Sequence, residues 1–201
     1  MESQSSEVLF YMLHFGIDIG TSTVKLLVLD QESVVWSWEA VHYEQPAAAI
    51  QEGLLEMKKS ISEPEFAVGF TGVHAQFFHQ MLPDSGFLED VPAIVEGTAL
   101  LVPDAKSIIE IGSQGSRFIT RLDQVPQFAT NGHCAGGTGS FFEDQMSRLG
   151  LPMESYSELT EQAKSIPRLS GRCAVFAKTD IIHRQQEGVP TSDILLGLCY
   201  A

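Results

Sequence analysis

The chain has 201 residues, 44% of them hydrophobic, which is enough for one sizeable domain or two small domains with a buried core. Twelve basic against twenty-six acidic residues give a formal charge of −14, which repels a phosphate backbone and argues against nucleic-acid binding. The start of the chain is acidic and its apolar run is too short to span a bilayer, so we expect a cytoplasmic protein without a membrane anchor.

Three β-rich segments follow a leader of residues 1–14. They read "FGIDIGTSTVKLLVLD" and "SVVWSWEAVHY", interrupted by a glycine turn and by "DQES", which predicts a β-meander. Trp36 and Trp38 alternate with Val34, so we expect these three side chains on one buried face. A helix is predicted over residues 46–61, because a proline there precedes apolar residues at helical spacing. A short strand, "FAVGFTG", is expected next.

The middle of the chain contains few regular patterns. Residues 73–92 are expected to form loops, and residues 93–102 a helix. Further along the chain, a strand is predicted over residues 125–129 and a helix after Gly139.

The pattern of the first strands returns at a constant offset of 92 residues. "IDIG" at residues 17–20 matches "IEIG" at residues 109–112, and Lys25 matches Arg117. The order strand-strand-strand-helix therefore occurs twice. We predict two related α/β subdomains, residues 15–100 and 101–201, that pack around a cleft.

Each repeated turn places a carboxylate at the end of an apolar strand, ahead of glycine. Backbone N–H groups at such a bend form an anion-binding nest, although one such turn alone fits an ordinary hairpin equally well. Asp18 and Glu110 are the candidate catalytic residues, because a carboxylate here can hold Mg²⁺ or orient water. The candidate cofactor-binding residues are Gly20, Thr21, Ser22, Thr23 and Lys25 in the first turn, and Gly112, Ser113 and Gln114 in the second.

Three cysteines, an odd number without CxxC spacing, argue against a disulfide framework and against a self-contained zinc site. Cys134 and Cys173 each precede a predicted helix, and a helix N-terminus lowers the pKa of a thiol. Either cysteine alone also fits an inert buried residue. Cys199 lies in the apolar run "ILLGLCYA" and is expected to pack in a helix.

The helix after Cys134 has recognisable start signals in "CAGGTGSFFEDQM". Thr138 or Ser140 is the expected N-cap, and Glu143 and Asp144 are expected in the first turn.

The paired hairpins resemble the phosphate-binding turns of the actin, Hsp70 and sugar-kinase superfamily. This resemblance implies duplicated ribonuclease-H-like subdomains, with mixed β-sheets flanked by helices, that close on ATP. The two cysteine segments, together with "GIDIGTSTVK", "PDAKSIIEIGSQGS" and "GVPTSDILLGL", resemble the BadF/BadG/BcrA/BcrD-type activators of 2-hydroxyacyl-CoA dehydratases. The resemblance covers almost the whole chain from Phe15.

This resemblance implies an ATP-dependent one-electron donor. It implies one [4Fe-4S] cluster per homodimer, with Cys134 and Cys173 as the metal ligands from each protomer, and ATP with Mg²⁺ at the repeated turns. Gly136, Gly137 and Thr138 complete the implied cofactor-binding residues. The implied partners are ferredoxin or flavodoxin as the electron source, and a 2-hydroxyacyl-CoA dehydratase or related CoA-ester reductase as the acceptor.

Two departures from the family pattern leave other functions open. The second turn reads "EIGSQG" where the family usually has Asp-Ile-Gly-Gly-Gln-Asp, and the resemblance stops at Ala201, which predicts a fold truncated at its C-terminus. One alternative is a sugar kinase of the same fold, of the N-acetylglucosamine type, in which the cysteines are incidental. The other alternative is a nucleotide-binding module without catalysis.

Overall fold

The computed structural model describes residues 12–62, 65–131, 136–171 and 173–201. Contacts divide the chain into two compact units, Met1–Asp104 and Ala105–Ala201. None of the helices in the described ranges combines the length and the apolar character that crossing a membrane requires.

The first unit is built on a five-stranded mixed sheet. Its strands are β1 (Met12–Ile19), β2 (Thr23–Asp30), β3 (Ser33–Val41), β4 (Glu65–Thr71) and β5 (Gly86–Phe87), in the order β3-β2-β1-β4-β5. The first three strands are antiparallel neighbours, whereas β4 is parallel to β1, and β5 to β4. The predicted meander is therefore present, and it is extended by two parallel strands.

The core of this unit lies on one face of the sheet. Alternate residues of β1 and β2 are buried there, as the period of two requires; they are Phe15, Ile17, Ile19, Val24, Leu26 and Val28. Helices α1 (Pro46–Met57) and α2 (Ala75–Met81) contribute Ala49, Met57 and Ala75 to the same cluster. A third helix, α3 (Asp90–Leu101), has no buried residue among its side chains.

The structure corrects the expected loop at residues 73–92, which contains α2, β5 and the first turn of α3. A seven-residue helix is too short to be stable alone, so its sequence carries little helical signal. Helix α2 is held by Ala75, which is fully buried, and by Phe78, which packs against the core. Strand β5 has only two residues, which pair with Gly69 and Phe70 of β4.

The prediction that Val34, Trp36 and Trp38 share one buried face is confirmed for the two tryptophans only. Both pack against the core, whereas Val34 is 48% exposed. The register between β2 and β3 shifts between Val28 and Leu29. Such a bulge breaks the alternation of side chains, so a residue beyond it leaves the face predicted by simple period-two counting.

The second unit combines a small sheet with a layer of helices. Its strands β6 (Ser107–Ile111), β7 (Ser116–Thr120) and β8 (Gln127–Thr130) are antiparallel in sequence order. The helices are α4 (Gly139–Arg148), α5 (Tyr156–Glu161), α6 (Ala174–Gln186) and α7 (Thr191–Cys199), with a single 3₁₀ turn at Met153–Ser155. The helical core contains Phe141, Leu169, Ala177, Ile181, Ile194 and Leu198.

Two aspartates hold the loop that leads to α6. Asp193 accepts hydrogen bonds from the Ser165 hydroxyl at 2.6 Å and from the Lys164 N–H at 2.8 Å. Asp180 accepts from the Ser170 hydroxyl at 2.6 Å and from its N–H at 2.9 Å. The hydroxyl bond is the main cause of the lowered pKa of each carboxyl group. These hydrogen bonds favour the ionised form of both aspartates. They also hold the loop that precedes Cys173 in place.

Candidate functional site

The first repeated turn is a tight hairpin between β1 and β2. The Gly20 N–H donates to the Thr23 carbonyl oxygen at 2.9 Å. A Cβ atom on Gly20 would lie 3.2 Å from the same oxygen, so a larger residue would crowd the turn. Thr21 and Ser22 lie within the bend. The candidate residues of this turn are therefore brought together on one hairpin.

Asp18 and Lys25 face each other across this hairpin. They are register partners in β1 and β2, and Lys25 Nζ lies 3.6 Å from Asp18 Oδ2. Burial raises the pKa of the Asp18 carboxyl group, and Lys25 acts in the opposite direction. Lys25 therefore favours the ionised form of Asp18, which the binding of a cation would require.

Two residues that the sequence did not single out support this turn. His42 is buried, and its backbone N–H donates to the Ser22 carbonyl oxygen. In its side chain, the ring atom Nε2 lies 3.1 Å from the Gly20 carbonyl oxygen. Because its Nδ1 accepts the Glu44 N–H at 3.1 Å, Nε2 carries the proton and donates to Gly20.

The second of these residues is Gly72, which follows β4 and has φ of +101°. A Cβ atom there would lie 2.6 Å from Asp18 Oδ1 and 2.5 Å from the Ile19 carbonyl oxygen. Only glycine therefore fits beside the carboxylate. A glycine directly after a predicted strand indicates a turn, but no local pattern points to its contact with Asp18.

A cavity of about 920 Å³ adjoins Asp18 on the face of the sheet opposite the core. Its floor includes Gly16 and Gly69, which pair with each other, and its polar end includes Asp18, Lys25 and Thr71. Thr71 Oγ1 is buried and has no hydrogen-bond partner within the described residues. This end of the cavity offers a carboxylate, an ammonium group and a hydroxyl to a polar ligand.

The second repeated turn has the same backbone bond as the first. The Gly112 N–H donates to the Gly115 carbonyl oxygen at 2.8 Å, 92 positions after the corresponding pair in the first hairpin. Glu110 and Arg117 are register partners in β6 and β7, and Arg117 Nη1 lies 3.2 Å from Glu110 Oε2. Ser113 and Gln114 lie within the bend.

The second turn is bonded to the start of α4. The Gly139 N–H donates to the Gly112 carbonyl oxygen at 2.8 Å, and the Ser140 N–H to that of Ser113 at 3.1 Å. Thr138 is the N-cap of α4, is fully buried, and accepts the Phe141 N–H at 3.4 Å. Of the two expected caps, Thr138 fills the N-cap position.

The expectation of acidic residues in the first turn of α4 is wrong. Glu143 and Asp144 lie in the second turn, because the helix begins at Gly139. Asp144 instead lies 3.4 Å from Lys178 Nζ, in an exposed pair. The N-terminus of α4 therefore carries no acidic side chain of its own.

Cys173 is the N-cap residue of α6 and is half-buried, with no capping hydrogen bond from its side chain. Gly136 lies beside it, since a Cβ atom on Gly136 would be 3.4 Å from the Ala174 nitrogen and 3.7 Å from the Cys173 carbonyl carbon. Cys134 lies outside the described residues. Cys199 ends α7, as expected, but is exposed, with Sγ 3.3 Å from the Tyr156 hydroxyl.

Of the two predicted cluster ligands, Cys173 is the one that lies in the described part of the chain. No group of three or more His, Cys, Asp and Glu side chains suitable for a metal ion occurs in the described part of the chain. Cys173 itself suits a metal ligand, because it is only half-buried and stands at the N-terminus of α6, where negative charge is stabilised. A cluster bound by Cys173 would therefore need ligands from elsewhere.

Sequence comparison identifies relatives along nearly the whole chain. Residues 15–201 match the BadF/BadG/BcrA/BcrD ATPase family. The activator of lactoyl-CoA dehydratase from Anaerotignum propionicum is 27% identical over 190 residues, 93% of this chain and 73% of that protein. The (R)-2-hydroxyglutaryl-CoA dehydratase activating ATPase from Acidaminococcus fermentans is 26% identical over 190 residues, 91% of this chain and 71% of that protein.

Structural comparison agrees on the fold. The activator of the 2-hydroxyisocaproyl-CoA dehydratase from Clostridium difficile, with bound ADPNP, matches with a TM-score of 0.79 at 22% identity, covering 93% of this chain and 70% of that one. This likeness and the mixed sheet confirm the predicted α/β fold of the actin, Hsp70 and sugar-kinase type. The expected family is confirmed too: the chain belongs to the BadF/BadG/BcrA/BcrD ATPase family.

Proposed function

We propose that this chain is an ATP-dependent one-electron donor that activates a 2-hydroxyacyl-CoA dehydratase or a related CoA-ester reductase. The observation that carries this proposal is the position of Cys173, a half-buried residue at the start of α6, beside Gly136 of the glycine-rich segment that precedes α4. Nucleotide-binding turns alone would suit a kinase equally well. A thiol at a helix N-terminus adds a ligand suited to electron transfer.

The two repeated turns would bind ATP with Mg²⁺. The bends at residues 20–23 and 112–115 would present backbone N–H groups to phosphate oxygens, and Lys25 would add positive charge. Asp18 would hold Mg²⁺ through water or orient the attacking water, and Glu110 would take the corresponding place in the second turn. Hydrolysis would consume one water and release ADP and phosphate.

The glycine-rich segment would continue the second nucleotide-binding turn. The start of α4 is bonded to that turn through Gly139 and Ser140. Gly136, Gly137 and Thr138, which directly precede it, would approach the phosphate from the helix side. Thr138 is buried and fixes the helix start, so its contribution would be to hold the backbone in place.

Cys134 and Cys173 would hold a [4Fe-4S] cluster. Such a cluster takes four thiolates, and two from each chain of a homodimer would supply them. When bound, the cluster supplies a site that gains and loses one electron. The α6 N-terminus, where Cys173 is the N-cap residue, would stabilise the negative charge of a reduced cluster.

The electron would come from ferredoxin or flavodoxin, which is oxidised by one electron as the activator is reduced. The acceptor enzyme is then reduced by the same electron. The relatives support this class of partner, since they include an activator of lactoyl-CoA dehydratase and an activating ATPase of (R)-2-hydroxyglutaryl-CoA dehydratase. We place the protein in the cytoplasm, where such soluble carriers are found.

The proposal can be tested against the kinase alternative with purified protein. After anaerobic incubation with iron and sulfide, we expect brown protein that hydrolyses ATP without an added sugar and is bleached by dithionite in a one-electron step. Colourless protein that consumes ATP only while it phosphorylates N-acetylglucosamine would contradict the proposal and support the kinase. Nucleotide binding without turnover would support the non-catalytic module.

A further inference from the structure

The residue that follows the third strand of the first unit holds the β1–β2 turn at two points. His42 comes directly after β3, and its backbone N–H donates to the Ser22 carbonyl oxygen at 3.0 Å. Its ring atom Nε2 lies 3.1 Å from the Gly20 carbonyl oxygen. One residue from outside the hairpin therefore holds the carbonyl groups on both sides of Thr21.

The ring of His42 is fixed in its orientation. The residue is 5% exposed, and its Nδ1 accepts the Glu44 N–H at 3.1 Å, which leaves the proton on Nε2. The ring of His74 stands edge-on to it, with 6.5 Å between the two ring centroids. Burial, this ring contact and a hydrogen bond at each nitrogen keep Nε2 directed at Gly20.

The backbone after His42 has an uncommon conformation. Tyr43 and Glu44 have φ of +45° and +63°, in the left-handed region that residues other than glycine rarely adopt. Such residues persist where surrounding contacts hold them, and they are concentrated at binding and catalytic sites. The bend brings the Glu44 N–H to the ring, so it is part of what orients the ring toward the turn.

The bond to Gly20 also fixes an N–H group of the turn. The Gly20–Thr21 peptide is trans, so its C=O and N–H lie in one plane and point in opposite directions. Because the Gly20 carbonyl oxygen points to the His42 ring, the Thr21 N–H points away from the ring. A donor that is oriented in advance loses less conformational freedom when it binds an anion.

The second unit repeats this arrangement with a different side chain. Asn131 comes directly after β8, and its backbone N–H donates to the Ser116 carbonyl oxygen at 3.0 Å. Its side-chain Oδ1 accepts the Ser116 N–H at 2.9 Å. In both units, the residue after the third strand binds the preceding hairpin through its backbone and through its side chain. The recurrence on two unlike side chains indicates that the contact serves the hairpin.

We infer that His42 is a positioning residue for phosphate at the β1–β2 turn. It acts through the hydrogen bond from Nε2 to Gly20, which directs the Thr21 N–H at a phosphate oxygen. The bond from Glu44 to Nδ1 only holds the ring. The inference rests on the proposed function, because it requires a nucleotide at this turn, and it uses contacts within the first unit alone.

Two variants separate the two hydrogen bonds of the ring. In His42→Gln, the side-chain amide nitrogen is the same number of bonds from Cα as Nε2 of histidine, so it can still donate to Gly20. In His42→Asn, the shorter side chain cannot reach Gly20. Its Oδ1 can still accept the Glu44 N–H, because asparagine commonly bonds the backbone two residues further on.

The experiment measures the dissociation constant of ADPNP with Mg²⁺ by isothermal titration calorimetry, and the melting temperature of each variant. We expect His42→Asn to bind ADPNP about fivefold more weakly than wild type, the usual effect of one lost hydrogen bond. His42→Gln should bind as tightly as wild type. His79→Asn is the matched control and should also bind normally, because this histidine lies on α2 with its Nδ1 2.9 Å from Ser85 Oγ.

A purely structural role of His42 predicts that the affinity for ADPNP follows the melting temperature in both variants. Wild-type affinity in His42→Asn, or an equal loss of affinity in His42→Asn and His42→Gln, would overturn the inference. If His42→Asn does not fold, His42→Ser replaces it and decides in the same way. A serine hydroxyl can accept the same N–H and cannot reach Gly20.

The wild-type measurement separates this inference from the proposed function. If wild type binds ADPNP and His42→Asn binds it equally well, the inference is wrong and the proposed function stands. If wild type does not bind ADPNP at all, the proposed function fails and the inference fails with it.

Discussion

Glu110 Oε2 lies 3.2 Å from Arg117 Nη1 across the β6–β7 hairpin, 92 positions after the pair formed by Asp18 and Lys25. In both hairpins the carboxylate lies near the end of the first strand and a basic residue faces it in register. The repeat therefore keeps an electrostatic arrangement as well as a backbone turn. In the proposed function, the cation beside each acid would reduce the repulsion between the carboxylate and a phosphate at the bend.

The two carboxylates should be required for ATP hydrolysis. We expect Asp18→Asn and Glu110→Gln each to lower the rate of phosphate release by about 10²-fold, because an amide can neither accept a proton nor hold Mg²⁺ as a carboxylate does. Glu32→Gln, in the exposed β2–β3 turn, is the control and should leave the rate unchanged. Equal rates in all three variants would remove these residues from the mechanism.

Helix α1 packs against the sheet at Gly53. A Cβ atom there would collide with Leu26 Cδ1 and would lie 2.7 Å from Trp38 Cε3. We expect Gly53→Ala to lower the free energy of unfolding by about 1–3 kcal/mol, the usual effect of overpacking. Urea denaturation measures this, with Gly97→Ala in the open face of α3 as the matched control. A neutral Gly53→Ala would mean that α1 lies farther from the sheet.

Thr138 should stabilise the start of α4 as its N-cap. We expect Thr138→Ala to reduce the free energy of unfolding by about 1 kcal/mol, because the hydroxyl that accepts the Phe141 N–H is lost. Thr138→Ser keeps the hydroxyl and should recover most of that loss in thermal unfolding. If Thr138→Ser and Thr138→Ala lower the free energy of unfolding equally, the cap hydrogen bond does not explain how Thr138 stabilises α4.

The buried carboxylate of Asp193 should make stability depend on pH. Its pKa is lowered in the folded protein, chiefly by the Ser165 hydroxyl and then by the Lys164 N–H. Because the pKa is lower in the folded protein, Asp193 stabilises the fold at pH values above its unfolded pKa of 3.8. This stabilisation is lost as the pH falls through the pKa of the folded protein.

Asp193→Asn should therefore lower the melting temperature at pH 7, and the difference from wild type should shrink as pH falls below about 4. Asp84→Asn, at an exposed position, serves as the control and should show no such trend. A difference that stays constant from pH 7 to pH 3 would show that ionisation of Asp193 is unimportant.

The sequence predicted the repeated hairpins because their strands carry strong period-two patterns that end in similar turn chemistry. It did not predict α2 or β5, whose few residues are stabilised by packing of Ala75 and by pairing with β4. The role of Gly72 was also missed, since its contact with Asp18 joins residues that are distant in the chain. Tertiary contacts of this kind leave no local pattern.

The most direct test of the account is the iron content of the cysteine variants after anaerobic reconstitution and gel filtration. We expect wild type and Cys199→Ser to carry close to four iron and four sulfide per homodimer, as a cubane requires. Cys134→Ser and Cys173→Ser should each carry almost none. A full cluster in both of these variants, or loss of the cluster only in Cys199→Ser, would contradict the assignment of Cys134 and Cys173 as the ligands.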